Sequence, residues 1–343
     1  MKKKIILSIF ISLMLLALSI ALGSVSISPK DAFAVSMHHI FGRPLNESIS
    51  AITDNIFWQI RAPRALTAFL VGALLSVAGA VMQASLQNPL ASSYTLGVSS
   101  GASLGAGLMI VSGIQIAFLK TFSLPIAGFI FAVITVLFVI NLSAKIDHNL
   151  HNQTIILLGM VISLFVSAII TLLAALFPDQ SSLLYFWMMG SFSARNWTHV
   201  SILLPTALLG TLILSSFSRE LDIMTFGDEQ SNSLGVNVKV VKKFLILFAA
   251  LLTGIAVSFT GTIGFIDLVA PHVVRKIFGA RHKIVLPMTF FIGGAFMALA
   301  DLISRTLLAP KEIPVGAVTA LIGAPFFAYI FFHKSKEKED VKE

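Results

Sequence analysis

Long apolar runs dominate this chain, and its polar positions gather in the short stretches between them. An α-helix crosses about 30 Å of hydrocarbon with roughly 20 residues. Runs of that length predict ten spans: 5–25, 64–84, 93–113, 122–144, 154–177, 198–217, 241–260, 262–278, 285–307 and 314–333. The eighth carries Asp267, Pro271 and His272 and follows the seventh with almost no loop. The pattern therefore predicts an all-α polytopic membrane protein, with one transmembrane domain over 1–333. A charged tail follows at 334–343, expected to be solvated and disordered. No repeat of 20–50 residues is visible.

Ten crossings put both termini on one side. Lys2, Lys3 and Lys4 before the first span, with Lys334, Lys336 and Lys338 after the last, place that side in the cytoplasm. Sixteen Lys and Arg then lie inside and eight outside (30, 43, 61, 64, 120, 195, 305 and 311). The first span also has a signal-peptide reading, since Ala21-Leu22-Gly23 looks like a small-residue cleavage site. Its apolar stretch, Ile5 to Leu22, exceeds a usual signal core of about 7–15 residues, which favours an anchor.

Composition agrees with lipid. Of 343 residues 56% are hydrophobic and 12% charged, with mean hydropathy +0.92. Soluble domains average about 25% charged. The sequence has no cysteine, which excludes disulfides, a thiol nucleophile and thiolate-bound metal. The +8 net charge sits at the ends of apolar runs, so it marks a lipid-embedded, multi-pass protein of the cell membrane and not a nucleic-acid binder.

Little in the spans carries chemistry. Only Asp267 and Asp301 are intramembrane carboxylates, and Asp301 stands four residues before Arg305 on one helical face, in ion-pair register. Asp267 is expected near the outer boundary. A carrier driven by protons or sodium needs a larger buried set. There is no GxxxxGK[ST] phosphate loop, no metal-ligand spacing among the eight histidines and no catalytic constellation. Gly97, Gly101 and Gly105 fall at i, i+4 and i+8 of the third span, a groove for helix packing or for a permeation path.

Two polar features remain. Outside, Arg61 and Arg64 open the second span and Arg305 closes the ninth, against the orientation bias. They suit lipid phosphate, an acidic partner or an anionic solute. Inside, 218–240 is the longest loop. Its core, Gly227-Asp228-Glu229-Gln230-Ser231-Asn232-Ser233-Leu234-Gly235, predicts a short helix with acids at its start and Gly235 ending it, either a connector or a piece shaped for a partner.

Ten motifs now stand in order. They are Arg61-Ala62-Pro63-Arg64, Gly79-Ala80-Val81-Met82-Gln83 with Gln87-Asn88-Pro89-Leu90-Ala91, Leu96-Gly97-Val98-Ser99-Ser100-Gly101, Trp187-Met188-Met189-Gly190-Ser191 and Gly227-Asp228-Glu229 to Leu234-Gly235-Val236. Gly264-Phe265-Ile266, Val269-Ala270-Pro271-His272 with Arg275, Ala300-Asp301, Glu312-Ile313-Pro314-Val315-Gly316 and Gly323-Ala324-Pro325-Phe326 complete the series. From about residue 55 to 332 the chain resembles the FecCD-type permeases of ABC importers for iron-siderophores, haem and cobalamin.

That resemblance implies the type II importer fold, with the second-to-fifth and seventh-to-tenth helices as inverted repeats. It implies a second permease, identical or related, two cytoplasmic ATPase subunits that use the ATP, and an extracytoplasmic solute-binding protein. No cofactor is expected on this chain, and it is not expected to be an enzyme. Arg61, Arg64 and Arg305 match arginines that pair with glutamates of the binding protein. Gly227, Asp228, Glu229, Gln230, Ser231, Leu234 and Gly235 match the segment seated on the ATPase. Asn152 and Gln153 match the cytoplasmic gate region, although His151-Asn152-Gln153-Thr154 departs from the family's small-hydroxyl pattern. Asp267 stands where family members carry a small or apolar residue. The implied activity is alternating-access import of an iron complex, ferric siderophore first and haem next, with cobalamin as the family alternative. An ion-coupled secondary carrier and a non-transport membrane protein are the readings from other classes.

Overall fold

The computed structural model describes residues 1–23, 27–45, 49–114 and 122–339, and every regular element among them is helical. In chain order these are α1 (Lys2–Ala21), α2 (Pro29–Phe41), α3 (Ala51–Asn55), α4 (Ala62–Ser85), α5 (Val98–Ser112), α6 (Ser123–Ile146), α7 (Asn152–Leu176) and α8 (Pro178–Met188). There follow α9 (Trp197–Ser216), α10 (Ser218–Met224), α11 (Asp228–Ser233), α12 (Val238–Thr260), α13 (Ile266–Phe278), α14 (His282–Thr306) and α15 (Val315–Glu339). A π-helical turn, Ile56–Arg61, joins α3 to α4. It stands just before Pro63, whose missing N–H removes a bond from the helical ladder.

Seven of these helices are long and apolar enough to cross a membrane, Ala51–Ser85 counting as one, and Val98–Ser112 and Val315–Ala328 are shorter apolar helices. The predicted third and eighth spans are each corrected. Residues 93–97 form a 3-10 turn ending at Gly97, so the helix begins only at Val98. Residues 261–265 are irregular, so α13 has 13 residues. Irregular backbone inside an apolar bundle must find partners within the protein. Here the Tyr94 hydroxyl donates to the Ile263 carbonyl at 2.7 Å, and Ser191 N–H to that of Thr260 at 2.8 Å. Gly316 N–H likewise donates to Met189 O at 3.1 Å.

Helix α4 is apolar on all sides and is buried along nearly its whole length, packed by α9, α12, α13 and α14. Helices α4 to α7 contain 24, 15, 24 and 25 residues, and α12 to α15 contain 23, 13, 25 and 25. The two series run in opposite directions through the bundle. In both, the short second helix starts from a left-handed residue, Gly97 at φ +84° and Phe265 at φ +70°. This is an inverted repeat in backbone form.

The expected disordered tail is also corrected: α15 continues to Glu339, since its alternating Lys and Glu are good helix formers. Residues 340–343 of the tail lie outside the described residues, as does Lys120. Helices α2, α8 and α10 were not foreseen. Helix α1 packs along α14, and Ser19 Oγ donates to Ala298 O at 3.1 Å.

Candidate functional site

The two polar features occupy opposite ends of the bundle. At the first end the π-helical turn brings up Arg61 and α4 brings up Arg64, while α14 supplies Asp301 and Arg305. Asp301 is fully buried (0% exposed). Arg64 Nη2 lies 2.9 Å from Asp301 Oδ1, and Arg64 Nη1 and Nη2 fork onto Glu312 Oε1 and Oε2 at 2.6 and 3.1 Å. The expected Asp301–Arg305 pair is present at 3.3 Å, but Arg64 is the closer partner. Arg61 donates to Ala21 O at 2.8 Å, and Arg305 to Leu22 O at 3.0 Å and to Ser19 O. Those carbonyls end α1, where the helix dipole is negative. Cleavage at Ala21-Leu22-Gly23 would strip the cluster of these acceptors.

The three arginines are thus brought together as expected, yet each is buried and held by internal partners. They share a pocket of about 330 Å³ with Glu312, Ile56, Ile60, Ala309 and Pro310. Glu312, in the loop between α14 and α15, also accepts from Ser193 Oγ at 2.6 Å. Burial pushes its carboxyl up, but the bonds from Arg64 and Ser193 and the arginine charges outweigh this and hold it below its ordinary value of 4.5. Its contribution is therefore complete above that value and is lost as pH falls through the lowered one. The difference in unfolding temperature between wild type and Glu312→Gln should stay constant from neutral pH to about 4.5 and shrink below it. A difference that shrinks between pH 8 and 6 would contradict a lowered Glu312 carboxyl as its source.

At the other end the loop helix forms as expected. α11 begins after Gly227 (φ +104°) with Asp228 and Glu229 in its first turn, and Gly235 turns left-handed (φ +86°) just beyond it. Glu229, Gln230 and Leu234 are exposed, while Ser231 is buried and bonds back to Ile223 O at 2.9 Å. Asn152 and Gln153 open α7. In the preceding turn, Asp147 accepts from His151 N–H at 2.8 Å, from the His151 ring at 2.7 Å, from Asn149 N–H and from Thr154. Desolvation acts against the charge, but these donors hold that carboxyl at about 2.

The structure ties the two sequence-assigned pieces together through Lys242 and Gln87, which the sequence marked only as a cytoplasmic base and as part of a motif. Lys242 of α12 is 1% exposed at its side chain and donates to Asp228 Oδ2 at 2.6 Å and to Asn152 Oδ1 at 2.8 Å. Gln87 donates to Asp228 Oδ1 at 3.0 Å and to Met224 O at 2.8 Å. At the same end, Asp222 of α10 accepts from His282 N–H at 2.9 Å.

Two expectations inside the bundle are revised. Asp267 is not near the outer boundary: it is buried against Ser92 Oγ, and its carbonyl accepts from Gln83 Nε2 at 3.1 Å, toward the α11 end of α4. The irregular 261–265 segment carries the start of α13 that deep. The glycine groove is not one helical face, because Gly97 caps α5 from outside. Gly101 and Gly105 lie on α5 against Phe131, Thr135 and Ala127 of α6, which is helix packing. Among the described residues no cluster of three His, Cys, Asp or Glu is placed to hold a metal ion.

Comparison with known proteins agrees with this geometry. The family model of the FecCD transport family matches residues 10–333. An uncharacterized ABC transporter permease of Bacillus subtilis strain 168, YvrB, is 41% identical over 93% of this chain and 90% of its own length. The hemin transport permease HmuU of Yersinia pestis is 35% identical over 95% of this chain and 96% of its own. Relatives at similar identity are named for import of cobalamin, Fe(3+)-citrate, molybdate and Fe(3+)-hydroxamate. A solved structure reported as an inward-facing conformation of a metal-chelate type ABC transporter superposes with TM-score 0.84 at 29% identity, covering 97% of this chain and all of that one. The chain belongs to the FecCD transport family: it is a membrane-embedded permease subunit of an ABC transporter.

Proposed function

We propose that this permease imports an iron chelate, a ferric siderophore or haem, handed to it by an extracytoplasmic binding protein and moved by alternating access. The arginine end faces outward and the α11 end faces the cytoplasm, as the lysine-rich termini and loops require. The membrane is the cell membrane, both termini are cytoplasmic, and the chain makes ten crossings, counting the short α5 and α13. A second permease, identical or related, completes the path, and two ATPase subunits seat on the α11 helices. ATP binding on those subunits supplies the bias between states.

The observation that carries this reading is the pocket at the first end. Three guanidiniums converge there against two carboxylates, Asp301 and Glu312, on a face where the orientation bias disfavours basic residues. A surplus positive pocket fits a carboxylate presented by a docking protein. The relatives named for hemin and Fe(3+)-citrate import support an iron-containing cargo, and the relatives named for cobalamin and molybdate import give the alternatives.

The test is reconstitution of the permease in liposomes with its binding protein and ATPase, using ferric hydroxamate, haem, cobalamin and molybdate as separate probes. ATP-dependent uptake of an iron probe, requiring both partners and falling as ionic strength rises, is expected. Uptake by the chain alone under a proton gradient without ATP, or selective uptake of cobalamin or molybdate, overturns the reading.

A further inference from the structure

Lys242 stands out among the charged groups that the proposed function leaves unused. Its ammonium is almost completely buried at the cytoplasmic end of α12, and both recorded partners come from other segments. A buried lysine–carboxylate pair is weak evidence for stability, because desolvation cancels most of the attraction. Such pairs are better attested as devices that fix register. The register in question here is unusual. Asp228 is the first residue of α11, Asn152 is the first residue of α7, and Lys242 spans the gap between them. The other carboxylate oxygen of Asp228 is taken by Gln87, from the turn that leads into the 3-10 segment and α5. One carboxylate on the loop helix therefore holds the leading ends of two parts of the first repeat, through side chains whose bonds are short and directional.

We propose that Lys242 is a positioning residue that carries movement of the α11 helix to the start of α7, through Asp228 on one side and Asn152 on the other. The inference rests on the reading of α11 as the ATPase seat and of Asn152 and Gln153 as the gate region. When α11 shifts with the ATPase, Asp228 moves with it as the first residue of that helix. The Lys242 ammonium keeps its bond to that carboxylate, and Asn152 follows. The ion pair makes this link stiffer than apolar packing, which lets helices slide. Gln153, the next residue, is exposed and reports the movement.

The absence of native cysteine makes the experiment clean, since Gln153→Cys becomes the only thiol. The permease carrying it is reconstituted in nanodiscs with its ATPase, and labelling by a membrane-impermeant maleimide is timed with and without ATP and vanadate. The nucleotide-dependent change in labelling rate should fall about fivefold or more in Lys242→Met and in Asp228→Asn. The double variant should lose no more than either single one, as expected for two members of one link. ATPase binding and hydrolysis should persist in Lys242→Met, whose side chain is buried, and Asp228→Glu should restore part of the response lost in Asp228→Asn. Asn152→Ala, which removes the other partner of the ammonium and lies outside α11, carries the test if Lys242→Met fails to fold. A full nucleotide response in the folded variants overturns the link, and so does loss of ATPase binding in Lys242→Met. A Gln153→Cys background with no nucleotide response overturns the gate and coupling reading itself, and the link with it.

Discussion

Asp301→Asn should cost about 3–5 kcal/mol of stability, the usual consequence of removing one partner from a buried ionic cluster. Its carboxylate is fully buried and faces Arg64 at 2.9 Å and Arg305 at 3.3 Å. Asparagine keeps the shape but not the charge, leaving two guanidiniums without their central counter-ion. Glu312 cannot take its place, since it already binds Arg64 with both oxygens and sits at the rim of the pocket. Glu312→Gln should accordingly cost only about 1 kcal/mol, because its side chain is 41% exposed and water screens the pair. The measurement is the thermal midpoint of the detergent-purified chain, read by loss of the monodisperse peak. An Asp301→Asn protein that melts with wild type, or a larger loss in Glu312→Gln, would show that the cluster is not organised around Asp301. The same geometry limits charge reversal as a docking test. Arg64→Glu places a third carboxylate against Asp301 and Glu312, so a failure of uptake would reflect folding as much as recognition.

The helical class and most of the long helices were legible because lipid demands long apolar runs and nothing else in the chain supplies them. Arg61, Arg64, Arg305 and the Asp228 helix were legible for the opposite reason: polar groups at the ends of such runs stand out against the apolar sequence around them. What stayed hidden depends on contacts distant in sequence. Asp301 pairs with Arg305 at four residues' spacing, which can be read from the chain. Its closer partner Arg64 lies 237 residues away and cannot. Lys242 counted only as one more cytoplasmic base until the fold brought Asp228 and Asn152 to it. The irregular segments at 93–97 and 261–265 are themselves apolar enough to continue a hydrophobic run, so the runs overshot the helices there. Gly97 and Gly261, both at positive φ, mark the breaks. The repeat was implied only by the resemblance and is not visible as sequence self-similarity, because helix lengths and two glycines, Gly159 and Gly323, carry it and not shared side chains.

Those two glycines yield the second large effect. Gly159 is the eighth residue of α7 and faces the 3-10 segment of the first repeat, whereas Gly323 is the ninth of α15 and faces the irregular segment of the second. A Cβ at Gly159 would overlap Thr95 O and come within 3.0 Å of Leu96 Cα. At Gly323 it would meet Phe265 Cβ at 2.5 Å and Cγ at 3.0 Å. Each glycine is thus a seat that lets an irregular segment lie against a membrane helix. Gly159→Ala and Gly323→Ala should each destabilise by about 1–3 kcal/mol, the cost of overpacking a close-packed site. Gly159→Ala should be the worse, because the Thr95 carbonyl oxygen stands closer to its added methyl group than Phe265 Cβ does at Gly323, where only the ring atoms beyond Cβ can turn aside. Gly264→Ala is the control: its nearest neighbour is Tyr94 Cε2 at 3.9 Å, so the methyl group should be tolerated. Thermal midpoints and ATP-dependent uptake should both follow this order. Two inverted seats that respond alike in kind, on segments joined to each other by the Tyr94–Ile263 hydrogen bond, would make the irregular segments paired working parts of the permease. Equal tolerance of alanine at all three positions would mean that α7 and α15 stand further from those segments than this packing requires.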